Sequence, residues 1–190
     1  MNNKKGFTLI EILAVIIILG IVMLITVPAV SKYILNSNRA SYAADISAFL
    51  ETIKSEYDMK DYGSLLKEDE VMIVPFEFVT FEKGNSLESP FGDYVLEKSY
   101  AVIVPERKGY QLYANVLDER GMGVLMKPYN ELSKESIEEE LSEMIVPWRS
   151  YFSSANLLSH NGKSYSYCET RDIETLEKKH KDAIIVLCEN

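Results

Sequence analysis

The residues able to carry covalent or metal chemistry are few. His160 and His180 are the two histidines, and Cys168 and Cys188 the two cysteines. A zinc site built from Cys168, His180 and Cys188 lacks the tight Cys-x-x-Cys pair that structural zinc sites use. Ser64 and Lys67 form a Ser-x-x-Lys pair, but the Ser-Asp-Asn and Lys-Thr-Gly partners of such an acyl-transfer site do not occur. Nor does the sequence contain His-Glu-x-x-His, a Walker phosphate loop or Gly-x-Ser-x-Gly. Glu68, Asp69 and Glu70 lack the alternating spacing of a calcium loop and read as surface carboxylates. His180 reads as solvated within a charged stretch, and the tyrosines as sheet residues. These patterns point to a chain that is not an enzyme and that takes no cofactor and no metal.

The two cysteines permit two readings. In an exported domain they can pair, and closing a loop of about 20 residues would stabilise the fold by roughly 3 kcal/mol. Alternatively they are two reduced core thiols. One carboxylate is out of place: Glu11 stands at the mouth of an uncharged run from Ile12 to Ser31. That run has the roughly 20 residues a helix needs to cross a bilayer core. A charge in such a helix costs about 2.5–3.5 kcal/mol, and it marks function and calls for a partner.

Three readings fit a basic start followed by an apolar run. A secretory signal would be cleaved after the run, and Val27-Pro28-Ala29 offers a small-residue site, but the run exceeds the usual apolar region of about 7–15 residues. A plain membrane anchor fits the length. Neither explains Glu11 or the abrupt switch from Lys4-Lys5-Gly6 to Phe7-Thr8-Leu9-Ile10.

The stretch "GFTLIEILAVIIILGIVMLITVPAV", residues 6–30, resembles the prepilin signature of type IV pilins and pseudopilins. The resemblance implies a leader, 1–6, cut after Gly6 by a prepilin peptidase that also methylates the new N-terminal residue, Phe7. Glu11 then falls at the fifth mature position, where the family keeps a glutamate that neutralises the N-terminal amine of a neighbouring subunit. Pro28 falls at the twenty-second, where many members carry a helix-kinking proline. Such a pair of charges repays its desolvation only when well made, so it would act as a check on subunit register.

The implied product is a structural subunit polymerised through its N-terminal helix into a surface filament serving adhesion, motility, secretion or uptake. Its partners would be other pilins in a homo- or hetero-polymer, the peptidase, the pilus assembly platform and the lipid bilayer. It would begin as a single-pass cytoplasmic membrane protein and end in an extracellular pilus. Lys4 and Lys5 place the N-terminus in the cytoplasm by the positive-inside rule. The alternative is a membrane-anchored, ligand-binding ectodomain that does not polymerise. With 29 acidic against 20 basic residues the chain has a net charge of −9, which disfavours nonspecific nucleic-acid binding.

The elements that must position these groups follow from periodicity. Tyr42, Ile46, Phe49, Leu50, Ile53 and Tyr57 make a helical stripe. One helix over 7–62 is expected, with 7–31 as membrane span and filament core and 32–62 amphipathic and packed on the head. Gly63 is its terminator. Gly20 and Pro28 predict bending or local melting within it. The run "VMIVPFEFVTF" is strand-like but interrupted by Pro75, which predicts an edge strand or a loop. Residues 99–105, 110–117 and 122–127, separated by the turns "ERKG" and "DERG", read as an antiparallel meander, giving a β-sheet head over 63–130.

Residues 131–190 read as a C-terminal α/β extension. Helices are expected over 136–145, with a Ser136–Glu139 capping box and Ile137, Leu141, Met144 and Ile145 on one face, and over 172–181. Strands are expected over 163–168 and 183–188, and the Cys168–Cys188 loop resembles the disulfide-bounded variable region of many pilins. The fold class is α+β: a pilin fold with a long N-terminal helix on an antiparallel sheet.

Overall fold

The structure, a computed structural model, describes residues 8–59, 66–78, 88–153, 156–168 and 185–190. Gly6, Phe7, Gly63, Ser64, His180 and the helix expected over 172–181 lie outside these residues. The chain divides into two units, Met1–Asn38 and Arg39–Asn190.

Helix α1 runs from Leu9 to Met59. In the first unit its side chains are exposed from Leu9 through Ser37, including the whole uncharged run. Of the bending or local melting expected at Gly20 and Pro28, melting does not occur, since the helix continues through both residues. Pro28 has no amide hydrogen, so one backbone hydrogen bond is missing there. The Thr26 hydroxyl donates to the Val22 carbonyl and the Ser31 hydroxyl to the Val27 carbonyl, both at 3.0 Å. These bonds tie side chains on either side of the proline to the helical backbone.

In the second unit α1 buries Tyr42, Ala43, Ile46, Phe49, Leu50, Ile53 and Tyr57. Steps of three and four residues put them on one face, and that face packs on a seven-stranded antiparallel sheet. The strands are β1 (Glu70–Pro75), β4 (Tyr100–Glu106), β5 (Gly109–Leu117), β6 (Gly123–Pro128), β7 (Leu158–His160), β8 (Lys163–Tyr167) and β9 (Ile185–Glu189). A separate two-stranded ladder joins β2 (Glu88–Ser89) to β3 (Gly92–Asp93). The meander β4-β5-β6 forms where the alternation and turn residues place it.

The order across the sheet is β6-β5-β4-β1-β9-β8-β7. This corrects the expectation for the run around Pro75. Strand β1 is central, paired with β4 on one side and β9 on the other. Pro75 is its last residue, so the missing amide falls where the ladder stops. Strands from beyond residue 131 complete the same sheet as the meander.

Both faces of the central strands are apolar. Met72, Val74, Ala101, Ile103 and Val186 face α1, while Val71, Ile73, Tyr100, Val102, Ile185 and Leu187 face a second core with Leu141, Ile145, Trp148 and Tyr151. The segment supplying those four residues is a correction. The helix expected over 136–145 is not formed; the chain makes 3-10 turns at Lys134–Ser136, Leu141–Glu143 and Trp148–Phe152. Glu138 exchanges two backbone hydrogen bonds with Gly123, and Glu140 is left-handed at φ 62°. Pairing with the β6 edge thus diverts the backbone from a helix. The capping box forms at Ser133 and Ser136 instead of Ser136 and Glu139. Ile137, Leu141 and Ile145 are buried as expected, but Met144 is 58% exposed.

Glu70 is a further correction to a surface reading. It is 1% exposed, and its carboxylate accepts the Lys67 amide at 3.1 Å and lies 3.6 Å from the Lys67 ammonium.

Candidate functional site

The start of α1 is built by a Thr-x-x-Glu pattern, residues 8–11. Thr8 immediately precedes the helix and Glu11 sits in its first turn. The first amides of a helix have no intrahelical acceptor, so a side-chain oxygen must supply one. The Glu11 amide donates to Thr8 Oγ1 at 3.4 Å. In return Glu11 Oε2 accepts the Thr8 amide at 2.7 Å and the Thr8 hydroxyl at 2.8 Å. This reciprocal arrangement is a capping box. It also places a carboxylate at the positive end of the helix dipole, a location worth about 0.3–1 kcal/mol at a surface.

The role of Thr8 escaped the sequence reading, although the spacing was legible in "FTLIE". Its effect is to hold Glu11 in one rotamer. Both donors converge on Oε2, while Oε1 makes no hydrogen bond among the described residues. The carboxylate is therefore partly satisfied within its own chain and keeps one oxygen for a donor from elsewhere. Glu11 and the apolar side chains on either side of it along α1 are exposed, among them Leu9 at 87% and Ile25 at 70%. A contiguous exposed apolar surface of this kind marks a membrane or protein contact. By length and composition α1 can cross a membrane.

Residues 1–27 match the family model of the prokaryotic N-terminal methylation motif. This is the type IV pilin and pseudopilin signature. The motif supports a type IV pilin-like, prepilin-processed protein and points to a structural subunit. It spans Gly6, Phe7, Glu11 and Gly20 and stops one residue before Pro28. With the exposed apolar helix it fits a membrane-anchored precursor that later joins a pilus. The head lies beyond the motif, and no solved structure matches the chain.

The other residues singled out in the sequence lie elsewhere. At Gly20 an added Cβ would meet no heavy atom within 4 Å, so the glycine relieves no crowding inside the chain. Cys168 and Cys188 are joined as a disulfide with Cα atoms 5.5 Å apart. The bond ties the residue after β8 to β9, beside the Cys168 amide bond to the Val186 carbonyl. Both cysteines pack against the α1 side of the sheet. His160 closes β7 and lies half-buried against Tyr113. No group of three or more metal-ligating side chains occurs among the described residues.

The α1 side of the head is held by polar contacts as well. The Tyr42 hydroxyl donates to the Met122 carbonyl at 3.0 Å. Asp118 organises the loop before β6, accepting the amides of Arg120 and Met122 on Oδ1 and the Ser89 hydroxyl on Oδ2. The Arg39 guanidinium meets Glu139 at 2.6 Å, linking α1 to the turn region beyond β6.

Proposed function

We propose that the chain is a filament subunit of the type IV pilin kind. It enters the membrane as a precursor with its N-terminus in the cytoplasm. The prepilin peptidase cuts it after Gly6 and methylates Phe7, and an assembly platform adds it to a polymer through α1.

The observation that carries this reading is Glu11. A carboxylate at the head of an exposed uncharged run, within a methylation motif, has two donors in its own chain and one oxygen with no hydrogen bond among the described residues. The new amine at Phe7 of a neighbouring copy is the donor that oxygen would take. Two desolvated charges are favourable only in good geometry, so a subunit at the wrong axial height leaves both stranded. Axial register is therefore set by this pair, and apolar packing of the span supplies the bulk of the association.

Two measurements test the reading. Mass spectrometry of the mature protein should find a methylated Phe7 at its N-terminus. An intact Met1, or a start near Val30, would remove the peptidase step. Sheared surface filaments should contain the protein, and its confinement to the membrane fraction in filament-bearing cells would remove the polymer role.

A further inference from the structure

The uncharged run of α1 from Ile12 to Ser31 is bounded by polar groups on both sides. Its two hydroxyls, Thr26 and Ser31, donate to the Val22 and Val27 carbonyls. That suits hydrocarbon, where a polar group must be satisfied within the chain. Glu11 closes the run on one side, and Lys32 and Tyr33 close it on the other.

Tyr33 stands apart from the other described tyrosines. Each of those is buried, hydrogen-bonded through its hydroxyl or packed on another ring. Tyr33 is 74% exposed and makes no hydrogen bond or ring contact among the described residues. An aromatic body with a polar tip is the kind of side chain enriched where hydrocarbon meets water. Lys32 beside it is exposed and makes no ion pair among the described residues. Its apolar stem can lie along hydrocarbon while its ammonium reaches a lipid phosphate.

The spacing of the two ends fits a bilayer. An α-helix rises about 33 Å between Glu11 and Tyr33. At the average tilt of about 20° that is about 31 Å along the membrane normal, against a hydrocarbon core of about 30 Å. Sliding the helix by one turn would draw either Glu11 or Lys32 into hydrocarbon, and a charge there is costly. The depth of the helix is thus fixed from both ends. We propose that Lys32 and Tyr33 anchor the unassembled subunit to the lipid interface opposite Glu11. The partner surface is the headgroup region of the bilayer, whose phosphates meet the Lys32 ammonium and whose hydrocarbon boundary meets the Tyr33 ring. Seated so, Glu11 stays hydrated at the other headgroup level and gives up its water only on entering a filament. The inference rests on the membrane-precursor reading and adds the depth at which that precursor waits.

Spin labels on the full chain, reconstituted in phosphatidylcholine–phosphatidylglycerol vesicles, test it. Cys168 and Cys188 are paired, so an added cysteine is the free thiol. Ile12→Cys, Val22→Cys and Ile34→Cys leave Glu11, Lys32 and Tyr33 in place. Collision rates with oxygen and with a nickel chelate should put the Val22 label deepest. The Ile12 and Ile34 labels should lie at matching depths, to within about 5 Å, one helical turn. Lys32→Ala and Tyr33→Ala together extend the apolar stretch to Leu35. In that double variant the Ile34 label should sink into hydrocarbon and the Ile12 label should move toward water. Both substitutions are at exposed positions, so folding of the head should be unaffected. The anchor is overturned by an Ile34 label in bulk water, which would leave Tyr33 for another subunit. An Ile12 label as deep as Val22, or depths unchanged in the double variant, would overturn it too. In each of these cases a Val22 label in hydrocarbon keeps the membrane reading. All three labels in water would remove the membrane precursor itself.

Discussion

His160 and Tyr113 stack edge to face, their ring centroids 4.4 Å apart, although they come from β7 and β5. β7 is the outermost strand on one side of the sheet, and β5 is second from the other side. The sheet therefore curls until its two margins meet over the second core, which Leu141, Ile145, Trp148 and Tyr151 fill.

Partial burial of the His160 ring predicts a pH-dependent contribution to stability. Burial disfavours the imidazolium and holds the His160 pKa below its ordinary 6.5. Between the folded and unfolded pKa values the unfolded chain binds more protons. The contribution is thus fully present above about pH 6.5 and is lost as pH falls through the folded value. Thermal melts of the wild type and His160→Gln should converge as the pH drops from about 7.5 to about 5. Curves that stay parallel would show that this ring does not sense pH.

Gly123 has no room for a side chain. A Cβ there would lie 2.0 Å from the Val116 carbonyl oxygen, a backbone atom across the β5–β6 ladder. Gly123→Ala should cost at least the roughly 1–3 kcal/mol typical of overpacking, read as a lower denaturant midpoint. A midpoint equal to the wild type would mean that the ladder yields freely.

Removing the disulfide should destabilise the head. The cysteines are 20 residues apart in sequence, for which the chain-entropy argument gives about 3 kcal/mol. Paired Cys168→Ala, Cys188→Ala substitution should lower the melting temperature of the exported protein. Mass analysis without reductant should find both thiols oxidised in the wild type, and two free thiols would refute the linkage.

Within the α1 stripe, Ile46 and Leu50 are wholly buried. Truncation of either to alanine should cost about 2–5 kcal/mol. Urea unfolding of the head reads the effect, and a loss below about 1 kcal/mol would mean that α1 adds little to the core.

At the helix start two variants separate capping from assembly. Thr8→Val removes the capping hydroxyl and should weaken the first turn by about 1 kcal/mol while leaving Glu11 charged. Glu11→Val should still insert in the membrane but fail to enter filaments. Wild-type levels of Glu11→Val in sheared filaments would eliminate register control by this residue.

The N-terminal device was legible in the sequence because each of its parts is local. The signature, the uncharged run and the Thr8–Glu11 spacing lie within a few turns of one helix, and the stripe from Tyr42 to Tyr57 needs only a period near 3.6. The meander was legible for a related reason, since alternation and turn residues mark hairpins between neighbouring strands. What the tertiary structure alone decided is non-local. β1 became central because β9, more than a hundred residues later, pairs beside it. Burial on both faces turns its sequence into a continuous apolar run, which carries no period to read. Leu141, Ile145, Trp148 and Tyr151 are spaced like a helical face, yet they cover the sheet from two 3-10 turns and the link between them. The spacing of three and four residues specifies which side chains face the core. The bonds between Glu138 and Gly123 on the β6 edge bend the backbone that carries them, and no local pattern encodes that partner.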